Sequence, residues 1–138
     1  MQSSSKLQVV IDTNVWISGL VFGGNPEKII RRFIEGQLIV ITAEELLSEL
    51  RRKITQRFPL YEPQLALLEA SIREDAILVR LGSIQISASR DTDDNKFIET
   101  AVIGDAQYII SGDKDLLTIG EYDGVQILKP FEFLELSQ

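Results

Sequence analysis

The chain alternates between short runs of apolar, β-branched residues and longer segments with apolar positions at helical spacing. The short runs are typical of strands buried on both faces of a parallel sheet, and the longer segments are typical of amphipathic helices. The pattern predicts strands at 6–12, 38–41, 76–81, 84–87, 106–111 and 124–130. It predicts helices at 14–22, 25–36, 42–54, 63–74, 96–104 and 113–119.

This order of elements predicts an α/β fold. Strands and helices follow one another without an internal repeat or a low-complexity linker, which favours a three-layer α/β/α sandwich with a central, mostly parallel sheet. A length of 138 residues suits one domain with its own core. We expect a single domain over 7–133, a disordered N-terminal tail over 1–6 and a C-terminal tail over 134–138.

Composition restricts the chemistry that the chain can perform. It has no His and no Cys, which excludes a Ser-His-Asp triad, thiolate chemistry and the common zinc ligand sets. A net charge of −7 argues against coating of duplex nucleic acid, but not against an acidic site that holds divalent cations. No apolar run is long enough to span a bilayer, and the polar start "MQSSSK" lacks a signal-peptide core. The expected location is the cytoplasm.

Two acids directly follow predicted strands, Asp12 after "VVI" and Asp113 after "YIISG". The carboxyl ends of parallel strands meet at one edge of a sheet, where ligands bind in such folds. Both acids are therefore expected at that edge. Each has an alternative role as the N-cap of the following helix, and Asn14 and Asp115 compete for those caps.

Helix geometry brings two further acids toward the same edge. On the 42–54 helix, Glu49 lies at the rim of the apolar arc and Glu45 lies farther out, although Glu49 could equally be a solvated partner of Lys53. Asp94 lies near the middle of the apolar arc of the next acidic segment, "DTDDNKFIETA", and could instead cap that helix. Asp91 and Asp93 are interpreted as solvated loop residues or as indirect supports.

Carboxylates gathered at one place repel each other unless a cation is bound. Oxygen ligands without His or Cys favour Mg²⁺ or Mn²⁺, one or two ions in this case. Such a cluster activates water for attack on a phosphodiester and stabilises the leaving oxygen.

The motifs "VVIDTNVWIS", "LLSELRRKI", "DTDDNKFIETA" and "YIISGDKDLL", in this order, resemble the PIN-domain family over residues 7–133. The similarity is to the toxin components of bacterial type II toxin–antitoxin systems. It implies a Mg²⁺- or Mn²⁺-dependent endoribonuclease acting on single-stranded RNA, a cognate antitoxin as partner, a homodimer and no membrane association.

The resemblance also implies roles for individual residues. It gives Asp12, Glu49, Asp94 and Asp113 as the catalytic acids and Asp115 as an additional member of the metal site. Direct metal ligands would be Asp12, Asp94 and Asp113. Supporting polar groups would be Asn14 and Ser111. Apart from the resemblance, RNA phosphates would need cations beside the acidic pocket. These could come from Arg51, Arg52, Lys53 and Arg57, or from Arg31 and Arg32, although such residues commonly only complement a helix dipole.

Two other functions remain open from the sequence. A Mg²⁺-dependent phosphatase with an aspartyl nucleophile usually carries an acid two residues after that nucleophile, where this chain has Asn14. A non-catalytic RNA-binding or partner-binding protein could keep the same fold, and it would tolerate Asp12→Asn without loss of function.

Overall fold

The structure is a computed structural model, and it describes residues 6–137. Its strands are β1 (Gln8–Ile11), β2 (Ile39–Thr42), β3 (Ile77–Leu78), β4 (Tyr108–Ile110), β5 (Glu121–Tyr122) and β6 (Val125–Leu128). Its helices are α1 (Thr13–Val21), α2 (Gly24–Ile34), α3 (Glu44–Arg57), α4 (Glu62–Asp75), α5 (Asn95–Ile103), α6 (Lys114–Ile119) and α7 (Pro130–Leu136). Short 3₁₀ turns at Pro59–Tyr61 and Thr92–Asp94 precede α4 and α5.

The six strands form one sheet in the order β3-β2-β1-β4-β6-β5. All neighbouring pairs are parallel except β5 and β6, which form a short antiparallel pair at one edge. In β1 and β4, Ile11 lies opposite Ile110, so these two strands end side by side. The chain continues from β1 to β2 on one side and reaches β4 on the other, which makes this position the switch point of the sheet.

Helices cover both faces of the sheet, which confirms the predicted three-layer α/β/α fold. Alternate residues of β1 point to opposite faces, as a strand requires. Val9 and Ile11 pack against α1, α2, α3, α4 and α7, and this core includes the edge-to-face pair of Trp16 and Phe33. Val10 packs on the other face with residues of α5 and α6, such as Phe97 and Leu116.

Two predicted strands differ from the structure. The strand predicted at 84–87 is absent, and 79–91 has no regular strand or helix; β3 is reduced to Ile77–Leu78. The apolar alternation of "IQIS" has another cause, because Ile86 packs against the α5 side of the core without strand pairing, as do Val79, Leu81 and Ala88 of the same segment.

The C-terminal segment is more ordered than its sequence suggested. Pro130 was interpreted as the end of the last strand, but it is the first residue of α7, a position that proline favours. Phe133 of this helix is fully buried against Tyr108. The helix α7 extends to Leu136, beyond the predicted end of the domain at residue 133. Of the two predicted tails, 1–6 and 134–138, only residues 1–5 and 138 lie outside the described residues. Within 6–137, no helix has the length and apolar character needed to cross a membrane.

Candidate metal centre at the carboxyl edge of the sheet

Asp12 lies at the end of β1 with its side chain 4% exposed. Its Oδ1 accepts a hydrogen bond from the backbone N–H of Asn14 at 3.4 Å, so it caps α1. Its Oδ2 accepts a hydrogen bond from the Ser111 hydroxyl at 2.7 Å. Burial raises the pKa of Asp12, the hydrogen bonds from Ser111 and Asn14 oppose this, and the charges of Asp113 and Glu49 add to the rise.

Ser111 joins Asp12 to the loop after β4. Its side chain is fully buried, and its hydroxyl oxygen also accepts a hydrogen bond from the N–H of Asp113 at 2.9 Å. Asp113 caps α6 because its Oδ2 accepts a hydrogen bond from the Leu116 N–H at 3.1 Å. One buried hydroxyl therefore holds the ends of two neighbouring strands in register at the point where their acids emerge.

Asp94 precedes α5 and is 8% exposed, yet its side chain makes no capping hydrogen bond to the helix. Its Oδ2 accepts a hydrogen bond from the Ser89 hydroxyl at 3.3 Å. Burial, a hydrogen bond with Asp113 and the charges of Asp113, Asp91 and Asp12 raise the pKa of Asp94 to about 7. The predicted alternative of a simple N-cap does not describe this carboxyl group, which faces other acids.

Glu49 reaches the same place from α3 and is 7% exposed. Its Oε1 accepts a hydrogen bond from the Lys96 ammonium, and its Oε2 lies 3.7 Å from the Lys53 Nζ. Burial acts to raise the pKa of Glu49, but hydrogen bonds from Lys96 and Thr13 and the two lysine charges lower it overall. The pairing with Lys53 expected from the sequence is present, but Glu49 is buried rather than solvated.

These side chains surround a cavity of about 150 Å³. It is lined by the following residues of α1, α3, α5 and the loops: Asp12, Asn14, Glu49, Arg52, Lys53, Asp91, Asp93, Asp94, Phe97 and Asp113. The structure thus brings together the four acids expected from the sequence. Asp91 and Asp93 also line the cavity wall while remaining exposed, which agrees with their interpretation as solvated loop residues or indirect supports.

Asp115 lies beside this cavity. One carboxylate oxygen each of Asp91, Asp94 and Asp115 lies within 4.8 Å of the others. Asp115 also lines an adjoining cavity of about 640 Å³ together with Asn14 and Asp113. The other six lining residues of this cavity are Val15, Ser18, Pro26, Gly112, Lys114 and Pro130. The acids of the site therefore border two recesses of different size, which share Asn14 and Asp113 in their walls.

Only some of the predicted RNA-binding cations lie at the small cavity. Arg52 and Lys53 line the small cavity. Arg51 instead pairs with Glu69 of α4, and Arg57 is exposed at the last position of α3. On α2, Arg31 lies 3.5 Å from Glu27, and Arg32 donates hydrogen bonds to Ser137, so both serve contacts within the fold.

Lys96 was overlooked in the sequence. It follows Asp94 by two positions, but its partner Glu49 is 47 residues away on a helix of the other layer. Helical periodicity describes only neighbours on one helix, so it could not reveal a contact made by a long side chain across the sheet edge. The order "DDNK" places a lysine beside an acidic loop, which is a weak signal by itself.

The donor set suits a hard divalent cation. The acids offer only carboxylate oxygens, which are the ligands that Mg²⁺ and Mn²⁺ prefer. Burial, together with the charges of neighbouring acids, raises the pKa values of Asp12 and Asp94, so their ionised forms need a compensating positive charge. A bound cation would supply that compensation, so the residues present fit such an ion.

Comparison with known proteins agrees with this geometry. Residues 8–115 match the model of the PIN domain, so the chain belongs to the PIN domain family, as its motifs predicted. Proteins of this family are generally nucleases and typically bind divalent metal ions. The chain is also 30% identical, over 143 aligned positions, to Uncharacterized protein MJ1680 of Methanocaldococcus jannaschii. That alignment covers 94% of this chain and 91% of the relative.

Proposed function

We propose that this protein is a metal-dependent endoribonuclease that hydrolyses phosphodiester bonds of single-stranded RNA. One observation carries the proposal. Four acids from separate elements, Asp12, Glu49, Asp94 and Asp113, line one cavity at the switch point of the sheet. Ligands bind at this position in open α/β sheets, and membership of the PIN domain family supports a nuclease.

The carboxylates of Asp12, Asp94 and Asp113 would hold Mg²⁺ or Mn²⁺, with Asp115 beside them. When bound, the ion supplies Lewis-acid chemistry that lowers the pKa of water and stabilises charge on the leaving oxygen. Ser111 fixes the orientation of Asp12 through its 2.7 Å hydrogen bond, and it fixes the backbone before Asp113. A carboxylate held in this way reaches the reactive geometry without reorganisation during the reaction.

The surroundings of the acids suit a polyanionic chain. Arg52 and Lys53 line the wall of the small cavity, where they can neutralise phosphates that flank the reacting one. The adjoining cavity of about 640 Å³ carries Lys114 together with apolar surface from Val15, Pro26 and Pro130. A cavity of this size and mixed character accommodates a nucleotide next to the acids.

The biological setting belongs to the same proposal. The similarity to toxin components supports a cytoplasmic toxin of a toxin–antitoxin pair, bound by a cognate antitoxin and forming a homodimer. The exposed side chains of Phe22 and Leu60, which are 72% and 87% exposed, offer apolar surface for such partners.

The first experiment is cleavage of an end-labelled, mixed-sequence, single-stranded RNA with Mn²⁺ or Mg²⁺. It compares the native protein with Asp12→Asn, and both with an EDTA control. Asp75→Asn is the matched control variant, because Asp75 is an exposed acid at the end of α4. It precedes the amino end of β3, whereas the candidate site lies at the carboxyl ends of the strands. We expect metal-dependent cleavage that Asp75→Asn retains and that Asp12→Asn reduces by about 100-fold or more.

The outcomes separate the proposal from its rivals. Equal cleavage by the native protein and Asp12→Asn would assign the activity to a contaminant and contradict the proposal. RNA binding without cleavage in any metal would favour a non-catalytic binding protein. Turnover of small phosphate esters with phosphate trapped on Asp12 would favour a phosphatase.

A further inference from the structure

Glu49 differs from the other acids of the small cavity in its partners. Asp12, Asp94 and Asp113 accept hydrogen bonds from neutral donors, namely hydroxyl groups and backbone N–H groups. Glu49 is contacted by ammonium groups at both of its oxygens, Lys96 at Oε1 and Lys53 at Oε2. The negative charge of Glu49 is therefore already compensated within the protein.

Lys96 is held on two sides. Its Nζ lies 5.6 Å from the centre of the Phe97 ring, and it donates to Glu49 on the opposite layer. The Lys96 side chain is 24% exposed and Glu49 is buried, so little water screens the contact. Lys53 belongs to the same helix as Glu49, its contact is longer, and it follows the common spacing of four residues.

We propose that Lys96 is a positioning residue that serves as the built-in counter-cation of Glu49, so that the site takes one divalent ion, on the side of Asp94 and Asp113. This inference rests on the proposed function and deepens it. Lys96 neutralises the acid that would otherwise complete a second ion site, and Glu49 in turn holds the Lys96 ammonium in place.

Charge and distance support this arrangement. A divalent ion bound directly to Glu49 Oε1 would approach the ammonium that occupies that oxygen, and the two positive charges would repel strongly in a partly buried site. The carboxylates of Asp94, Asp91 and Asp115 are closely spaced, and among residues 6–137 none of the three forms an ion pair with a lysine or arginine. The uncompensated negative charge therefore lies on these three acids rather than on Glu49, which Lys53 and Lys96 contact.

The test counts bound Mn²⁺ ions, and it does not use RNA. Calorimetric titration, together with the loss of the free Mn²⁺ signal in electron paramagnetic resonance, gives the number of ions per chain. We expect one ion for the native protein and two for Lys96→Met, in which Glu49 becomes available. Lys96→Met with Glu49→Gln is expected to return to one ion, and Lys96→Arg is expected to bind one because it keeps the charge.

Lys53→Met is the matched control, since it removes the other ammonium from the same carboxylate and leaves Lys96 in place. We expect it to bind one ion. Circular dichroism and thermal unfolding of each variant establish that the count refers to folded protein. The variant with both Lys96→Met and Glu49→Gln shows whether the second ion binds to Glu49. If the second ion came only from a less ordered site, this double variant would still bind two ions.

Two ions in the native protein, with one lost in Glu49→Gln, would overturn the role of Lys96 and leave the nuclease proposal intact. One ion in Lys96→Met, or two in Lys53→Met, would also overturn it. A single ion in the native protein without any RNA cleavage would contradict the proposed function alone. Absence of Mn²⁺ binding would overturn both proposals.

Discussion

At the scale of single residues, two acids of this site serve the fold and the cavity at once. Asp12 and Asp113 each use one carboxylate oxygen to cap a helix, and each also faces the other acids. The capping role and the functional role expected from the sequence are therefore compatible. An Asp→Asn change keeps a capping oxygen and removes the charge, so such variants report on charge rather than on helix formation.

Ser111→Ala tests the hydroxyl that joins the two strand ends. The change leaves the buried Asp12 Oδ2 and the N–H of Asp113 without their partner. Loss of buried hydrogen bonds of this kind costs about 1–3 kcal/mol, which urea unfolding measures. Thr118→Ala is the control, because that exposed hydroxyl bonds only to its own helix, and its change is expected to cost less than about 0.5 kcal/mol. Equal losses in both variants would contradict the role of Ser111.

The stability of the metal-free protein should depend on pH through Asp94. Its pKa is raised from the ordinary value of 3.8 to about 7, so the folded chain binds more protons than the unfolded chain between those values. The free energy of unfolding should therefore fall as pH rises from about 4 to about 7, as measured by urea unfolding in EDTA. Asp94→Asn should flatten this slope, and an unchanged slope in that variant would contradict the assignment.

The same group should make Mn²⁺ binding depend on pH in the opposite direction. Below about pH 7, a proton on Asp94 competes with the cation, so the affinity should fall about tenfold from about pH 8 to about pH 6. Calorimetric titration at the two pH values measures the change. An affinity that stays constant would show that Asp94 is already ionised across this range.

At the scale of elements, Gly19 sets how closely α1 approaches α2. A Cβ at this position would lie 2.5 Å from Ile30 Cδ1 and 2.9 Å from the carbonyl carbon of Pro26. The side chain of Ile30 can move, but the backbone of Pro26 cannot without shifting α2. Gly19→Ala should therefore lower the free energy of unfolding by about 1–3 kcal/mol, despite the higher helix propensity of alanine.

Gly112→Ala is the control for this prediction, because a Cβ there meets no atom within 4 Å and the backbone needs no positive φ. Urea unfolding of both variants gives the comparison. A Gly19→Ala variant as stable as the native protein would show that α1 and α2 can separate freely.

The elements differ in how well their sequences predict them. Buried parallel strands such as β1 and β4 are continuous apolar runs, and they were predicted to within a few residues. The segment "IQIS" has a strand pattern but gains no partner beside the two-residue β3, because pairing is a tertiary property. The helix α7 was overlooked because Pro130 can end a strand or begin a helix, and burial of Phe133 decides between them.

The site shows the same division between local and distant information. The four carboxylates were predictable because each follows a strand or faces a helix rim, which are local properties. The contact of Lys96 with Glu49 was not predictable, since it joins side chains from the two helical layers. The engagement of Arg51 by Glu69 depends in the same way on how α3 packs against α4.

At the scale of the whole molecule, Mn²⁺ should stabilise the fold. Binding to the folded chain alone adds about 2.7 kcal/mol when the free ion is at about 100 times its dissociation constant. For a chain of this length, that corresponds to a rise of roughly 5–10 °C in Tm, measured by thermal unfolding. Asp94→Asn should lose most of the rise, and Asp75→Asn should keep it. An equal rise in Tm with KCl at matched ionic strength would show that the stabilisation comes from charge screening rather than from Mn²⁺ binding.

The hydrogen bond between Ser111 and Asp12 joins residues that are 99 positions apart. During synthesis, β1 and Asp12 leave the ribosome long before β4, Ser111 and Asp113 have been made. The walls of the acidic cavity come from different parts of the chain. The cavity therefore cannot assemble before β4 has left the ribosome and paired with β1. A nascent chain therefore cannot form the acidic cavity until it has been synthesised beyond Asp113.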